Sequence, residues 1–175
     1  MALENLGRSL QAGPLLETLE RHGVDFVVVG GLAGVAQGSS YPTYDLDVAY
    51  ARDLANLRRL AEALTAIGVT LRGAPPDLPF QLDAQTLANG VNFTFATEFG
   101  SFDIHGDVAG IKSYEELRKH SRIKRIAGVE VRVASLDDLI SMKRAANRVK
   151  DQLMVVEYVE LADEVRRREQ EEAEG

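Results

Sequence analysis

Asp45 and Asp47 stand two residues apart in Tyr44-Asp45-Leu46-Asp47-Val48. If that run is a strand, both carboxylates leave the same face, with Cα atoms about 7 Å apart. Upstream, Val24-Asp25-Phe26-Val27-Val28-Val29 stops at Gly30-Gly31 and opens into Leu32 to Gln37, which reads as strand, tight turn and short helix ended by Gly38. Glycine lets the backbone approach a ligand closely. The N–H groups and positive dipole end of a helix starting at Gly31 would face an anion brought to the turn. Either half alone is ordinary, since glycine is the default turn residue and an acidic strand end is unremarkable in an acidic chain. Together in one short βαβ-like unit they are the two halves of a site for a metal ion and a phosphate.

Gly30-Gly31 followed by Thr43-Tyr44-Asp45-Leu46-Asp47 resembles the Gly-Gly/Ser and Asp-x-Asp signature of the nucleotidyltransferase (polymerase-beta-like) superfamily. Within it, the likeness is to the minimal bacterial branch that includes abortive-infection type IV toxins. It runs from Val24 to Asp151. Phe102-Asp103-Ile104 falls where the superfamily places a third carboxylate, and Leu139-Ile140-Ser141-Met142-Lys143 with Arg148-Val149-Lys150-Asp151 resembles the branch's C-terminal Lys and Arg-x-Lys-Asp pattern.

The resemblance implies an α+β (mixed α/β) fold: a twisted mixed sheet of four or five strands with flanking helices and a helical C-terminal part across the nucleotide cleft. It implies a metal-dependent nucleotidyltransferase that moves NMP from an NTP to a hydroxyl acceptor and releases pyrophosphate. Asp45, Asp47 and Asp103 would be the catalytic carboxylates and would hold Mg2+ (or Mn2+). Gly30, Gly31, Thr43, Lys143, Arg148, Lys150 and Asp151 would surround the nucleotide. The acceptor is left open between tRNA, a protein and a small molecule. A toxin or defence role, with an antitoxin as partner, follows from the same branch. Members often carry an arginine two residues before the threonine, where this chain has Tyr41. The competing reading is therefore a non-catalytic nucleotide-sensing or partner-binding module on the same fold.

Composition sets wider bounds. At 175 residues with 45% hydrophobic content, the chain has enough apolar surface for one proper core. The expected layout is a single domain over residues 1–168, with a catalytic core at 24–107, C-terminal helices at 135–168 and a charged tail at 169–175. With no cysteine, disulfides and thiolate metal sites are excluded. Glu4 lies near the start without a long apolar run, and no stretch approaches the roughly 20 apolar residues of a membrane span. A soluble, cytoplasmic protein without membrane partners is the expectation. The formal net charge of −7 argues against broad, non-specific nucleic-acid binding. Cations are nonetheless concentrated at Arg118 to Arg132 and at Lys143 to Lys150.

The elements that must position these residues follow from periodicity. Leu15 to His22 reads as an amphipathic helix closed by Gly23, and Asp53 to Gly68 as a helix with an aspartate cap and a glycine stop. Val69 to Leu71 reads as a short strand, Asp83 to Ala88 as a short helix. Val91 to Ala96 alternates and Gly100 turns it back through Ser101 to His105, so Asp103 is expected on the returning arm of an antiparallel hairpin. Asp107 is a rival third carboxylate, but Gly106 is expected to break the strand before it. A second hairpin spans Arg122 to Val133, Ser113 and Ser135 cap helices, and a last helix covers about Lys150 to Arg168. The Glu-rich end beyond it is expected to fray.

Three carboxylates on neighbouring strands repel and tend to take up protons unless a cation sits among them. His105 alternates onto the face of Asp103 and reads as an ordinary hydrogen-bonded histidine. Thr43 either contacts a phosphate or shapes the turn after Pro42. Lys143 and Asn147 share a helix face, and Lys143 is the expected point charge toward a triphosphate.

Overall fold

The computed structural model describes residues 9–175, so the reading made around Glu4 lies outside the described residues. Chain order gives α1 (Ala12–Arg21), β1 (Phe26–Val29), α2 (Gly30–Ala36), β2 (Asp45–Tyr50), α3 (Leu54–Ile67), β3 (Thr70–Leu71) and α4 (Ala84–Asn89). These are followed by β4 (Asn92–Thr97), β5 (Gly100–His105), α5 (Tyr114–His120), β6 (Arg122–Ile126), β7 (Val129–Val133), α6 (Leu136–Ala146) and α7 (Val149–Glu174). Among the described residues the seven strands join one mixed sheet in the order β3-β4-β5-β2-β1-β7-β6.

The mixed α/β class is as the sequence reads; the sheet is larger than the four or five strands expected. The extra strands come from the β6–β7 hairpin, which adds to the central sheet through a parallel bridge between Val28 and Val133. Alternation along a strand shows which residues share a face, but not which strand lies alongside.

Local chemistry fixes most ends. Asp53 accepts from the backbone N–H of Asn56 at the start of α3, and Gly68 closes that helix with φ of 76°. Ser113 and Ser135 cap α5 and α6 in the same way. Helix α1 starts three residues before Leu15, because Pro14 is tolerated in a first turn where its missing N–H has no intrahelical partner. Helix α7 continues past Arg168 to Glu174, where a frayed tail was expected. Its last turns are exposed and need no packing to be helical. Glu, Gln, Arg and Ala are good helix formers, and pairs such as Arg168 with Glu164 and Arg166 with Asp163 span one turn.

The core is continuous from Leu15, Leu16 and Leu19 of α1, through Val27, Leu46 and Ile104 of the sheet, to Leu60 and Leu64 of α3. All four residues of β1 are buried, so this strand is covered on both faces. Among the described residues no helix is long and apolar enough to cross a membrane.

Candidate active site

The carboxylates are placed by register. β2 pairs in parallel with β5, setting Asp47 opposite Asp103 and Asp45 opposite Ser101, while β1 runs antiparallel to β2 and sets Val29 opposite Asp47. Side chains directly opposite one another share a face. Asp45, Asp47, Asp103 and His105 therefore form one patch where β1 hands over to α2. Asp107 lies in the bend after β5, whose ladder ends at His105.

Gly30 shows how tight the turn is. Its φ is 67°, and a Cβ there would stand 2.6 Å from Asp47 Oδ2. Gly31 is similarly constrained, since its Cβ would meet Thr43 Oγ1 at 2.8 Å. Thr43 in turn donates its hydroxyl to the Asp45 carbonyl at 3.2 Å, so it shapes the entry to β2. Gly30→Ala combines left-handed backbone strain with displacement of Asp47. We expect at least about a 10-fold loss in metal affinity or activity, the lower range for disturbing a ligand's support. Mn2+ titration of the variant checks it, and unchanged affinity would show that Asp47 has room to move.

Each of the inner two carboxylates already has a partner. His105 Nε2 lies 2.9 Å from Asp47 Oδ1. Arg72, just past β3, donates from NH2 to Asp103 Oδ2 at 3.1 Å and stands 3.0 Å from Oδ1. Only the first contact has hydrogen-bond geometry; Oδ1 stays buried without a hydrogen-bond partner. Burial pushes the Asp103 carboxyl above its ordinary range, Arg72 opposes this, and the charges of Asp47 and Asp45 add to it. Asp45 is exposed. Beyond His105 the same face opens into a cavity of about 220 Å³ bounded by Ala49, Asp107, Ile111, Lys112 and Tyr114.

The C-terminal residues gather around one buried charge. Asp151, fully buried, lies 3.1 Å from Lys143 Nζ and 2.7 Å from Arg148 Nε, and accepts from the Arg148 backbone N–H at 3.2 Å. Burial alone would raise its carboxyl, but the bonds from Arg148 and Lys143 outweigh it and hold the group down at about 2. Lys143, expected as a free point charge, is thus committed to Asp151 and only 14% exposed at its side chain. Arg148 is held above its ordinary range by the Asp151 bond, with a smaller contribution from Asp47. Lys150 is exposed and forms no ion pair among the described residues.

Two further contacts tie α7 to the turn. Tyr158 packs on Gly34 of α2, where even a methyl group would collide with its hydroxyl. Glu157 accepts from the Ser40 N–H at 3.1 Å and from the Ser40 hydroxyl. Arg72, Tyr158 and Glu157 carried no motif. Arg72 is visible only once β3, β4 and β5 are in register, because Arg72 bonds to the Thr94 carbonyl and Thr94 stands opposite Asp103.

A closed metal cage is not present: among the described residues no three His, Cys, Asp or Glu side chains converge as a complete ligand set. The donors nevertheless suit a cation that keeps most of its water. Two carboxylates on one strand face, one of them exposed, match the few protein ligands that Mg2+ uses.

No protein-family model matches the chain, and no curated protein matches it by sequence. Solved structures do. A lincosamide antibiotic adenylyltransferase, LnuA, determined with lincomycin bound, superposes with a TM-score of 0.57 at 12% identity, over 87% of this chain and 99% of that one. The antibiotic-resistance factor ANT(2'')-Ia, determined in solution, gives 0.53 at 15% identity over 93% of both chains. At such identities the likeness is one of fold, and the fold of this chain is that of the nucleotidyltransferases.

Proposed function

We propose that the chain is a metal-dependent nucleotidyltransferase that transfers NMP from an NTP to a hydroxyl acceptor. The observation that carries this reading is the register that brings Asp45, Asp47 and Asp103 together beside a turn where Gly30 has no room for a side chain. Asp45 and Asp47 would hold a Mg2+ or Mn2+ ion, which when bound supplies a positive charge to the triphosphate and to the departing pyrophosphate. Gly30 and Gly31 leave the backbone open to phosphate oxygens. Asp103, whose burial raises its proton affinity, accepts the proton of the acceptor hydroxyl. The acceptor oxygen bonds to the α-phosphorus as the bond from that phosphorus to pyrophosphate breaks, and the proton moves to Asp103. The cavity beyond His105 gives the same face room for a second molecule.

Incubation with each α-labelled NTP, Mg2+ and a cell lysate tests this. A labelled RNA, protein or small molecule identifies the acceptor, and growth arrest on expression would add the toxin role that the motif resemblance implies. Nucleotide binding without any transfer would instead support a sensing module.

A further inference from the structure

Resting on that reading, we propose that the acceptor is a neutral sugar ring seated in the cavity beside His105, with Tyr114 setting the size of ring that fits. The floor of this cavity continues the ladder that carries the carboxylates. Ala49 stands opposite His105, two residues beyond the pair Asp47 and Asp103 and on the same face, so a group seated there lies about 7 Å along the strands from them. The near edge of a bound ring faces the carboxylates. The volume of about 220 Å³ falls below the roughly 300–1,000 Å³ of pockets that enclose drug-sized ligands, so the cavity takes one ring and leaves the rest of any larger molecule outside.

The lining is mixed. Ala49, Ile111, Leu117 and the Tyr114 ring are apolar, while Asp107 and Ser113 add oxygens. A sugar presents C–H faces and a rim of hydroxyls, whereas a tyrosine or serine side chain would use its only hydroxyl in the reaction and leave those oxygens unanswered. Charge argues against a nucleic-acid acceptor. Of the described residues lining the cavity, those that can be positive are His105, bonded to Asp47 at 2.9 Å, and Lys112, which is 83% exposed and offset by Asp107 and by Glu116 at 3.4 Å. No sheltered positive charge is left for a phosphate. The Tyr114 hydroxyl donates to Asp25 Oδ1 at 2.7 Å, and Arg118 Nε meets the same oxygen at 3.2 Å, so the ring is fixed as a wall. In the reaction, one sugar hydroxyl bonds to the α-phosphorus as the bond to pyrophosphate breaks, its proton passes to Asp103, and the product is a sugar carrying NMP.

In the test, the full chain with Mg2+ and each α-labelled NTP is offered neutral hexoses with their methyl glycosides, N-acetylhexosamines, a tyrosine-containing peptide and an RNA oligonucleotide. Label should pass to at least one hexose and to neither polymer. Ala49→Leu and, independently, Ile111→Phe should cut that transfer by about 10–200-fold, the scale for a methylene-sized misfit in a pocket, while affinity for Mn2+ with a non-hydrolysable NTP analogue stays at the wild-type value. Tyr114→Phe should keep the hexose preference, and Tyr114→Ala should extend it to the bulkier N-acetylhexosamines. Label on the peptide or the RNA instead, or on none of the probes, would overturn the proposal. Full hexose transfer by Ala49→Leu and Ile111→Phe, each shown to be folded by thermal unfolding, would do the same. In all these cases a wild type that still binds the Mn2+ and NTP analogue keeps the nucleotidyltransferase reading; one that binds neither takes that reading down as well.

Discussion

Asp47→Asn is expected to reduce nucleotidyl transfer on the order of 10³-fold, about 4 kcal/mol of barrier, while leaving the fold in place. The substitution removes one of the two charges that would bind the ion and loosens the side chain that abuts Gly30. Its structural cost is small because two effects oppose each other. The contact with His105 weakens, a loss of about 1 kcal/mol for one hydrogen bond. Repulsion with Asp103 on the neighbouring strand is relieved. Turnover of α-labelled NTP and thermal unfolding in chelator, measured on the same preparation, check the two halves. A variant that melted far below the wild type yet kept its specific activity would make Asp47 a structural residue.

Asp151→Ala should have the largest effect on stability, about 3–5 kcal/mol, the range for stripping one partner from a buried ion pair. It would leave Lys143 shielded from water without its carboxylate and deprive the first turn of α7 of an acceptor. The pH dependence follows from the same contacts. The folded carboxyl sits at about 2, below the value near 3.9 of an unfolded chain. Its contribution is therefore complete above about pH 4 and is lost as pH falls toward 2. Denaturant unfolding across that window should show a steeper acid loss in the wild type than in Asp151→Asn. Equal slopes would mean that Lys143 and Arg148 do not hold the carboxylate in solution. The same geometry gives Lys143 a structural task. Its replacement should cost stability before it costs nucleotide affinity.

What the sequence makes legible is local. Two glycines after an apolar strand, carboxylates two residues apart, a hairpin folding back at Gly100 and serines heading helices each depend on neighbours within a few positions, and each stands where expected. What it leaves hidden is lateral. Spacing shows that Asp103 shares a face with His105, but only register shows that Asp47 lies opposite one and Arg72 reaches it from two strands away. The partner of Lys143 is hidden for a related reason. A lysine on a helix face looks free until the partner eight residues on turns out to be a buried aspartate at the start of the next helix. The end of α7 differs in another way: the Glu-rich tail, expected to fray, is helical to Glu174, because charge bars burial and not helix formation.

The parallel ladder between β2 and β5 also bears on how the chain reaches this state. The β4–β5 hairpin can close early through near neighbours, whereas β2 must find β5 across all the intervening residues, and such non-local pairing is slow. A slip of one residue would turn Phe102 outward and Asp103 into the apolar core. A mispaired ladder is thus penalised by buried charge, and the correct one by mutual repulsion of the aspartates it aligns. The aspartates that the correct ladder aligns repel one another, and Arg72, just past the edge strand of the sheet, is the counter-ion that offsets part of that cost.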